Sequence, residues 1–428
     1  MTEQEIAGLG PAFAAYLGRY RNCFLQKRTA AHFDNYCRGL LSDLPRKTVE
    51  PIALAAGTAV RTLQEFLVTA RWDHERMRNA LQQHLAQAVA EAPADTLGTV
   101  GIIDETSCRK WGEETPGVHR QYLGCVGKID SGIVTVHVGV AKGRFQALLD
   151  ADLYLPRSWD ADRERCRAAG IPDDIRYRPK WRIALDQLIR LHGNGLAFDW
   201  LVFDEGYGAA VPLLQVLNLV RQRFVAEVPV NFAVADVADG PTQRADQRLR
   251  VGDAKGGRRY RLAHRTVRDS VWRAATAPVW VAGQQHLLLV AINEATAEVK
   301  YFLSNATTTP VARLLAVAFC RWGVEQGFRL GKQEAGLMHY EGRDYTGLMR
   351  HLVLALVVLG FVATQTERLR GEKPAGDGGA GVPGAEPAVC GAAAPPSGRP
   401  GVTAHECGHP LSPAPQPTGD QVPQETAA

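Results

Sequence analysis

The stretch GTVGIID, residues 98–104, is an apolar run that ends on a carboxylate, and LAFDWLVFD, residues 196–204, repeats that pattern. Apolar runs of this length are typical of strands buried on both faces of a sheet. Ligand sites in α/β sheets lie at the carboxyl ends of such strands. Asp104 and Asp204 fit a turn cap equally well, because aspartate hydrogen-bonds its own turn. If the two strands are neighbours, the two carboxylates converge and need a cation to offset their repulsion.

The segments around these two runs predict the rest of a mixed sheet. We expect strands at HRQYLGCVG (119–127), GIVTVHVGVA (132–141) and FVAEVPV (224–230), with a turn at KIDSG (128–132). We expect helices at KWRIALDQLIRLHG (180–193) and AAVPLLQVLNLVRQR (209–223). The order β, β, β, α, β, α, β indicates an α/β fold in which helices cover a mixed sheet.

The first 95 residues predict helices. Apolar residues recur at three- and four-residue spacing in AAHFDNYCRGLLSDL (30–44), TVEPIALAAGTAVRTLQEFLVTARW (48–72) and HERMRNALQQHLAQAVAEA (74–92). The portion IALAAGTAVRTLQEFL fits a DNA-binding helix-turn-helix with Gly57 in the turn. It fits a plain helical bundle at least as well.

Charge is distributed unevenly along the 428 residues, a length that suggests two or three domains. The net charge is +4, but residues 371–428 carry two basic and six acidic side chains, so residues 1–370 carry +8. A basic folded part favours a polyanionic partner. Residues 371–428 are rich in Pro, Gly and Ala without an aromatic residue, so we expect this tail to be disordered.

Three other patterns predict that the chain has no zinc site, no disulfide framework and no membrane span. HECGH, residues 405–409, matches the H-E-x-x-H zinc motif, but Gly408 and Pro410 oppose the helix that the motif requires. The eight cysteines are scattered without a C-x-x-C pair, which is typical of a reduced, cytoplasmic protein. The apolar run LVLALVVLGFVA (352–363) is shorter than a bilayer requires, so we expect a buried helix.

The helical stretch FCRWGVEQGFRLGKQEAGLMHY, residues 319–340, supplies a third carboxylate. Taken alone, the pattern of Glu325 and its neighbouring cations is typical of an ordinary surface helix with ion pairs. Packed near Asp104 and Asp204, Glu325 completes a two-metal site for phosphodiester chemistry. Carboxylate oxygens favour Mg²⁺, with Mn²⁺ as a substitute. Arg321 and Lys332 then lie where a DNA phosphate must bind.

These residues together resemble the DDE transposases of bacterial insertion sequences, in the group marked by Y-x2-R-x3-E-x6-K. The R, E and K of that motif match Arg321, Glu325 and Lys332 at the right spacing. IDETSCRKWGEETPGVHRQYLG and FDEGYG resemble the regions of the first and second catalytic aspartates, and the likeness covers about residues 14–365. The chain departs from the motif at Ala318, which stands where the family has Tyr.

The resemblance implies a ribonuclease-H-like catalytic core over residues 96–230 and 306–370, interrupted by a basic, β-rich insertion at 231–305. It implies that residues 1–95 bind DNA, and that Asp104, Asp204 and Glu325 hold two divalent ions. The expected activity is cut-and-paste transposition of double-stranded DNA, with terminal inverted repeats and target DNA as partners. The resemblance also implies a homodimer that acts at the bacterial nucleoid in the cytoplasm.

The insertion is the second expected DNA contact. Its basic residues suit a groove along the DNA backbone, and they include Arg258 and Arg259. Trp272 or Trp280 fits either a base-stacking role or a place in the core. Three other functions compete with an active transposase: a catalytically inactive, transposase-derived DNA-binding protein, a nuclease without strand transfer and, from the HECGH motif, a zinc peptidase.

Overall fold

The computed structural model describes residues 3–262 and 270–371. The expected disorder of the tail and the HECGH motif lie outside the described residues. So do Arg265 and Arg268 of the basic insertion. The described residues belong to one compact unit within Met1–Glu372.

The N-terminal region is helical, as predicted. It contains α1 (Glu3–Gly18), a turn of 3₁₀ helix (Arg21–Cys23), α2 (Lys27–Leu41), α3 (Val49–Ala55), α4 (Val60–Val68) and α5 (His74–Glu91). Asp73 caps α5 by accepting hydrogen bonds from the backbone N–H groups of Glu75 and Arg76. Gly57 has a φ of 60° in the turn between α3 and α4, a conformation that glycine adopts without strain.

The long helix α15 (Tyr345–Gly371) packs against α2, α4 and α5 and against the sheet. Its residues 352–357 are almost free of exposed surface. Tyr345–Leu369 is long and apolar enough to span a membrane, yet 78% of its most apolar stretch is buried inside the protein. The expectation of a buried helix is therefore confirmed, although the helix is much longer than its apolar run.

Within the described ranges, twelve strands form one mixed sheet. They are β1 (Val100–Arg109), β2 (His119–Leu123), β3 (Lys128–Lys142), β4 (Phe145–Leu153), β5 (Trp200–Phe203), β6 (Phe224–Val228), β7 (Ala233–Ala235), β8 (Thr242–Arg244), β9 (Arg258–Leu262), β10 (Ser270–Val281), β11 (Gln284–Asn293) and β12 (Val299–Ser304). The order is β2-β3-β1-β5-β6-β12-β11-β10-β7-β8, with β4 beside β3 and β9 beside β10. The pairs β1–β5 and β5–β6 are parallel, and the other pairs are antiparallel.

Two sequence predictions differ from these strands, and one strand was missed. KIDSG is the start of β3 rather than a turn, because the chain turns over residues 124–127. The strand begun by GTVGIID continues to Arg109, so Asp104 lies inside β1 rather than at its end. Strand β4 was not predicted at all, because its alternating acids, Asp150 and Asp152, are unusual in a buried strand.

The remaining helices flank the sheet. They are α6 (Arg157–Asp160), α7 (Arg163–Ala168), α8 (Lys180–Gly193), α9 (Glu205–Gly208), α10 (Val211–Leu219), α11 (Ala245–Arg248), α12 (Val251–Gly256), α13 (Val311–Ala318) and α14 (Trp322–Glu334). A turn of 3₁₀ helix, Phe319–Arg321, separates α13 from α14. Arg321 therefore precedes the helix that carries Glu325 rather than lying on it.

The described strands of residues 231–305, the expected β-rich insertion, continue the central sheet. Strand β12 pairs with β6 on one side and with β11 on the other, and β10 carries both β9 and β7. The insertion therefore lies directly beside the strands that follow Asp204.

Candidate active site

Asp104 and Asp204 are brought together by the parallel pairing of β1 with β5. Ile103 and Phe203 are partners in that register, so each aspartate directly follows a paired residue. This confirms that the two apolar runs are neighbouring strands. Asp104 is only 7% exposed.

Asp204 also caps a turn, which is the alternative role that the sequence allowed. Its Oδ1 accepts hydrogen bonds from the N–H groups of Gly206 and Tyr207, at 3.0 and 3.3 Å, and so begins the short helix α9. Oδ1 of Asp104 accepts a hydrogen bond from the N–H of Glu105 at 2.7 Å. In each aspartate the local backbone contact uses Oδ1, and in Asp104 the other oxygen faces a cation.

That cation is Arg321. Its Nη1 lies 3.2 Å from Oδ2 of Asp104 and 3.2 Å from Oε1 of Glu325. The Arg321 side chain is 16% exposed, whereas that of Glu325 is 53% exposed. One guanidinium therefore bridges an acid from the sheet and an acid from α14.

Both aspartates have a raised pKa, mainly because they are buried. Burial raises the pKa of Asp104 to about 7, with a further contribution from the charge of Asp204, while Arg321 opposes the rise. Burial also raises the pKa of Asp204, and Arg321 again opposes it. Such carboxylates remain ionised together only with a cation among them, which is the role that Arg321 fills here.

Two further carboxylates near this cluster were not predicted. Oε2 of Glu227, on β6, lies 3.9 Å from Nη2 of Arg321, and Oε1 lies 2.6 Å from Nζ of Lys300. Glu105 pairs with Lys180 at 2.5 Å and accepts a hydrogen bond from the Tyr207 hydroxyl at 3.3 Å. The one signal in the sequence for Glu227 was a single charge within an otherwise apolar strand, FVAEVPV.

Lys332 lies in the last turn of α14, two turns beyond Glu325. It is half-buried, and burial lowers its pKa while the nearby thiols of Cys125 and Cys108 act in the opposite direction. Cys125 belongs to the turn after β2, where its N–H is hydrogen-bonded to the Ser107 hydroxyl at 3.2 Å. Lys332 therefore lies beside the end of β1, the strand that carries Asp104.

The expected DNA contacts of the insertion divide into two kinds. Arg258 and Arg259 are exposed on β9, and Arg259 pairs with Glu294 at 2.9 Å. Trp272 has no exposed surface and packs against Phe319 with the ring centroids 4.7 Å apart. Of the two expectations for Trp272, its burial favours the place in the core, where the ring supports the turn before α14.

Two of the three glycines on α14 are closely packed. A Cβ on Gly323 would lie 2.6 Å from the Gln146 side chain, and one on Gly331 would lie 3.1 Å from Leu337. Gly327 has ordinary space above Leu148. Close packing against β4 therefore holds the start of α14, and with it Glu325, against the sheet.

No group of three or more His, Cys, Asp or Glu side chains in the described ranges is arranged to hold a metal ion. The donors are nevertheless of the right kind, because Asp104, Asp204 and Glu325 offer only carboxylate oxygens. The Arg321 guanidinium is a stand-in for a cation among them. The cluster therefore suits a divalent ion provided that the guanidinium moves away.

Two aspartates at adjacent parallel strands, with a glutamate from a flanking helix, offer the carboxylate oxygens on which two-metal phosphodiester chemistry depends. A family model described as "DDE superfamily endonuclease" matches residues 19–286, which is more than half of the chain. The chain belongs to this family. The matched range includes Asp104 and Asp204 and ends before Glu325. Nucleases of this superfamily generally use divalent metal ions.

The chain is also similar to a protein of Microchaete diplosiphon described as a probable transposase for insertion sequence element IS701. The two are 34% identical over 222 residues, which is 51% of this chain and 54% of the relative. The match thus spans about half the length of that curated relative. Together with the family match, it confirms the resemblance to DDE transposases of insertion sequences.

Proposed function

We propose that the protein is a DNA transposase that cleaves DNA at the ends of an insertion sequence and joins them to a target. The observation that supports this most directly is the single guanidinium shared by Asp104 and Glu325, with Asp204 on the adjacent strand. Without a metal ion, these three carboxylates need a cation such as Arg321 among them. The same carboxylates are suited to hold divalent cations when those are present. The three antiparallel strands β1, β3 and β4, followed by the parallel β5 and β6, support a ribonuclease-H-like core.

The proposed assignment of roles follows from this cluster. Asp104, Asp204 and Glu325 hold two Mg²⁺ ions, or Mn²⁺ in their place. When bound, the ions supply an activated oxygen nucleophile and stabilise the leaving oxygen of the phosphodiester. Arg321 and Lys332, before and after Glu325, position the DNA phosphates.

Outside this cluster, two surfaces support binding to terminal repeats and target DNA. Arg258 and Arg259 lie exposed on β9 and contact the DNA backbone. The short helices α3 and α4, joined through Gly57, favour the helix-turn-helix alternative. On this basis we assign residues 1–95 to DNA recognition, 96–230 with 306–370 to catalysis and 231–305 to the insertion. The protein acts as a homodimer at the nucleoid in the bacterial cytoplasm.

The test is cleavage of a labelled duplex that carries the ends flanking the gene, in the presence of Mg²⁺ or Mn²⁺. We expect cleavage at the element boundary by the unmodified protein and none by Glu325→Gln. Glu334→Gln is the matched control, because Glu334 is an exposed acid of the same helix. Its cleavage should be unchanged.

Three other results would contradict the proposal. Specific binding of the ends without cleavage by any of the proteins would identify an inactive DNA-binding protein. Ala318, which stands where the family has Tyr, would then be the first residue to test as the cause of the lost cleavage. Cleavage without joining to a target duplex would identify a nuclease. Cleavage retained in Glu325→Gln would exclude this carboxylate from the site.

A further inference from the structure

We propose that Glu227 is the positioning residue that receives Arg321 when a divalent cation binds Asp104 and Glu325. This inference rests on the proposed function, because it concerns the same three acids. The inference assigns a role to a carboxylate that lies near the acidic cluster but is not among the three proposed ligands of the divalent ions.

The first observation is that Arg321 occupies contacts that a bound cation would require. Its Nη1 is within 3.2 Å of an oxygen on each of Asp104 and Glu325. A guanidinium and a divalent ion cannot share these oxygens, because they would repel at short range. Since the Arg321 side chain is only 16% exposed, leaving it without a carboxylate partner would be costly.

The second observation is that Glu227 has an oxygen directed at the same guanidinium. Oε2 lies 3.9 Å from Nη2 of Arg321, which is an ion-pair contact but too long for a hydrogen bond. A shift of about 1 Å would convert it into a charge-assisted hydrogen bond of normal length. The contact is therefore partly made before the cation binds and can be completed when it does.

The third observation is that Glu227 is held in place. Lys300, on the neighbouring strand β12, lies 2.6 Å from Oε1 of Glu227, so the other oxygen is left for Arg321. The backbone of β6 is also packed closely against α9 at this point. A Cβ on Gly208 of α9 would lie 1.9 Å from the Glu227 carbonyl oxygen. The backbone of Glu227 is thus packed against the helix that Asp204 caps.

These contacts assign Arg321 two alternative partners. Without a divalent ion it pairs with Asp104 and Glu325, and with an ion it pairs with Glu227. Glu227 thereby favours ion binding without touching the ion. Binding of the ion and transfer of Arg321 are then linked equilibria, and each must promote the other.

The test is a titration of the full-length protein with Mn²⁺ alone, followed by the electron paramagnetic resonance signal of the free ion. We expect Glu227→Gln to weaken Mn²⁺ binding by about tenfold, the loss expected for one charge-assisted hydrogen bond. Arg321→Gln should instead tighten binding, because it removes the competing cation. In the Arg321→Gln background, Glu227→Gln should change the affinity by less than about twofold.

The matched control is Glu105→Gln. Glu105 is another carboxylate whose charge acts on Asp204, but it pairs with Lys180 rather than with Arg321. Its substitution measures the loss of a nearby negative charge alone. We expect it to act equally in both backgrounds, in contrast to Glu227→Gln.

A second variant covers the case in which Glu227→Gln does not fold, as judged by its melting temperature. Lys300→Met removes the contact that holds Glu227 in place, so it should weaken Mn²⁺ binding, and only while Arg321 is present. An effect of Glu227→Gln or Lys300→Met that is the same with and without Arg321 would overturn the proposal, as would no effect at all.

The result for the unmodified protein separates the two proposals. If it binds Mn²⁺ and cleaves DNA, but the substitutions at Glu227 and Arg321 act independently, the inference about Glu227 fails and the proposed function stands. If it binds no Mn²⁺, the proposed ion site fails and the inference falls with it.

Discussion

Replacement of Arg350 by Met should destabilise the protein by about 3 kcal/mol. Arg350 lies on α15 with 6% of its surface exposed and donates hydrogen bonds to the chain that leaves α4. Nη1 donates to the carbonyl of Leu67 at 2.9 Å, and Nη2 donates to those of Ala70 and Trp72 at 2.8 and 2.6 Å. The guanidinium also lies over the Trp72 ring, 4.6 Å from its centroid.

The magnitude follows from these three bonds. Each charge-assisted hydrogen bond contributes about 1.5 kcal/mol, so their loss costs about 4 to 5 kcal/mol. Methionine regains part of this, because it avoids burying a charge and keeps the apolar contacts of the side chain. At roughly 2.1 cal/mol/K per residue, 3 kcal/mol corresponds to a melting temperature lower by about 4 °C for a unit of this size.

Urea unfolding followed by circular dichroism would measure the change. Arg61→Met is the control, because Arg61 lies on α4 with its side chain 87% exposed and pairs only with Glu65 of the same helix among the described contacts. We expect the control to change the free energy of unfolding by less than about 0.5 kcal/mol. A loss below about 1 kcal/mol in Arg350→Met, or one equal to the control, would refute the reasoning.

Two further predictions concern acid stability and the chain after Asp204. Burial lowers the pKa of His351 to about 4. Between about pH 6.5 and 4, the unfolded chain therefore gains a proton at this residue that the folded chain does not gain. Through this group, acid destabilises the fold by up to about 1.4 kcal/mol per pH unit. His351→Gln should make the slope of unfolding free energy against pH shallower over that window in urea titrations, and an unchanged slope would contradict this assignment. Gly208→Ala should abolish DNA cleavage and destabilise the protein by about 2 kcal/mol or more in the same assays, because its Cβ would overlap a backbone carbonyl of β6. Gly252→Ala, whose Cβ would meet open space, should have little effect on either measurement, and equal effects of the two would show that the overlap is relieved.

The neighbouring positions of Asp104 and Asp204 could be predicted because they depend on local pattern. An apolar run before each aspartate identified a buried strand, and parallel strands present equivalent positions side by side. Helix α8 was predicted with its observed bounds, 180–193, because its apolar residues recur with helical spacing.

Strand β4 could not be predicted from its own residues. Asp150 is buried, and Asp152 is largely buried, only because arginines from two helices neutralise them. Arg78 of α5 lies 3.3 Å from Asp152, and Arg190 of α8 lies 2.7 Å from Asp150 and 2.6 Å from Asp152. A buried carboxylate is tolerated when it is paired, and the pairing partners lie about 40 to 70 residues away in the chain.

The candidate site could be predicted only in part, because some of its contacts also join residues that are far apart in the chain. Helical periodicity gave the spacing of Arg321 from Glu325, but not the 3₁₀ turn that begins at Phe319 and places Arg321 against Asp104. Glu227 was missed because its importance depends on Arg321, a residue almost 100 positions later. The role of Trp272 was left open because an aromatic residue in a basic segment suits either base stacking or a place in the core, and only packing distinguishes them.

The contact between Arg350 and the end of α4 joins residues about 280 positions apart in the chain. At a ribosomal rate of about 5 to 20 residues per second, roughly 15 to 55 seconds separate the synthesis of these two partners. During that interval the apolar faces of α2, α4 and α5 have no α15 to cover them, and they are targets for chaperones. The nascent chain thus completes its N-terminal helical layer only when nearly the whole compact unit has been synthesised.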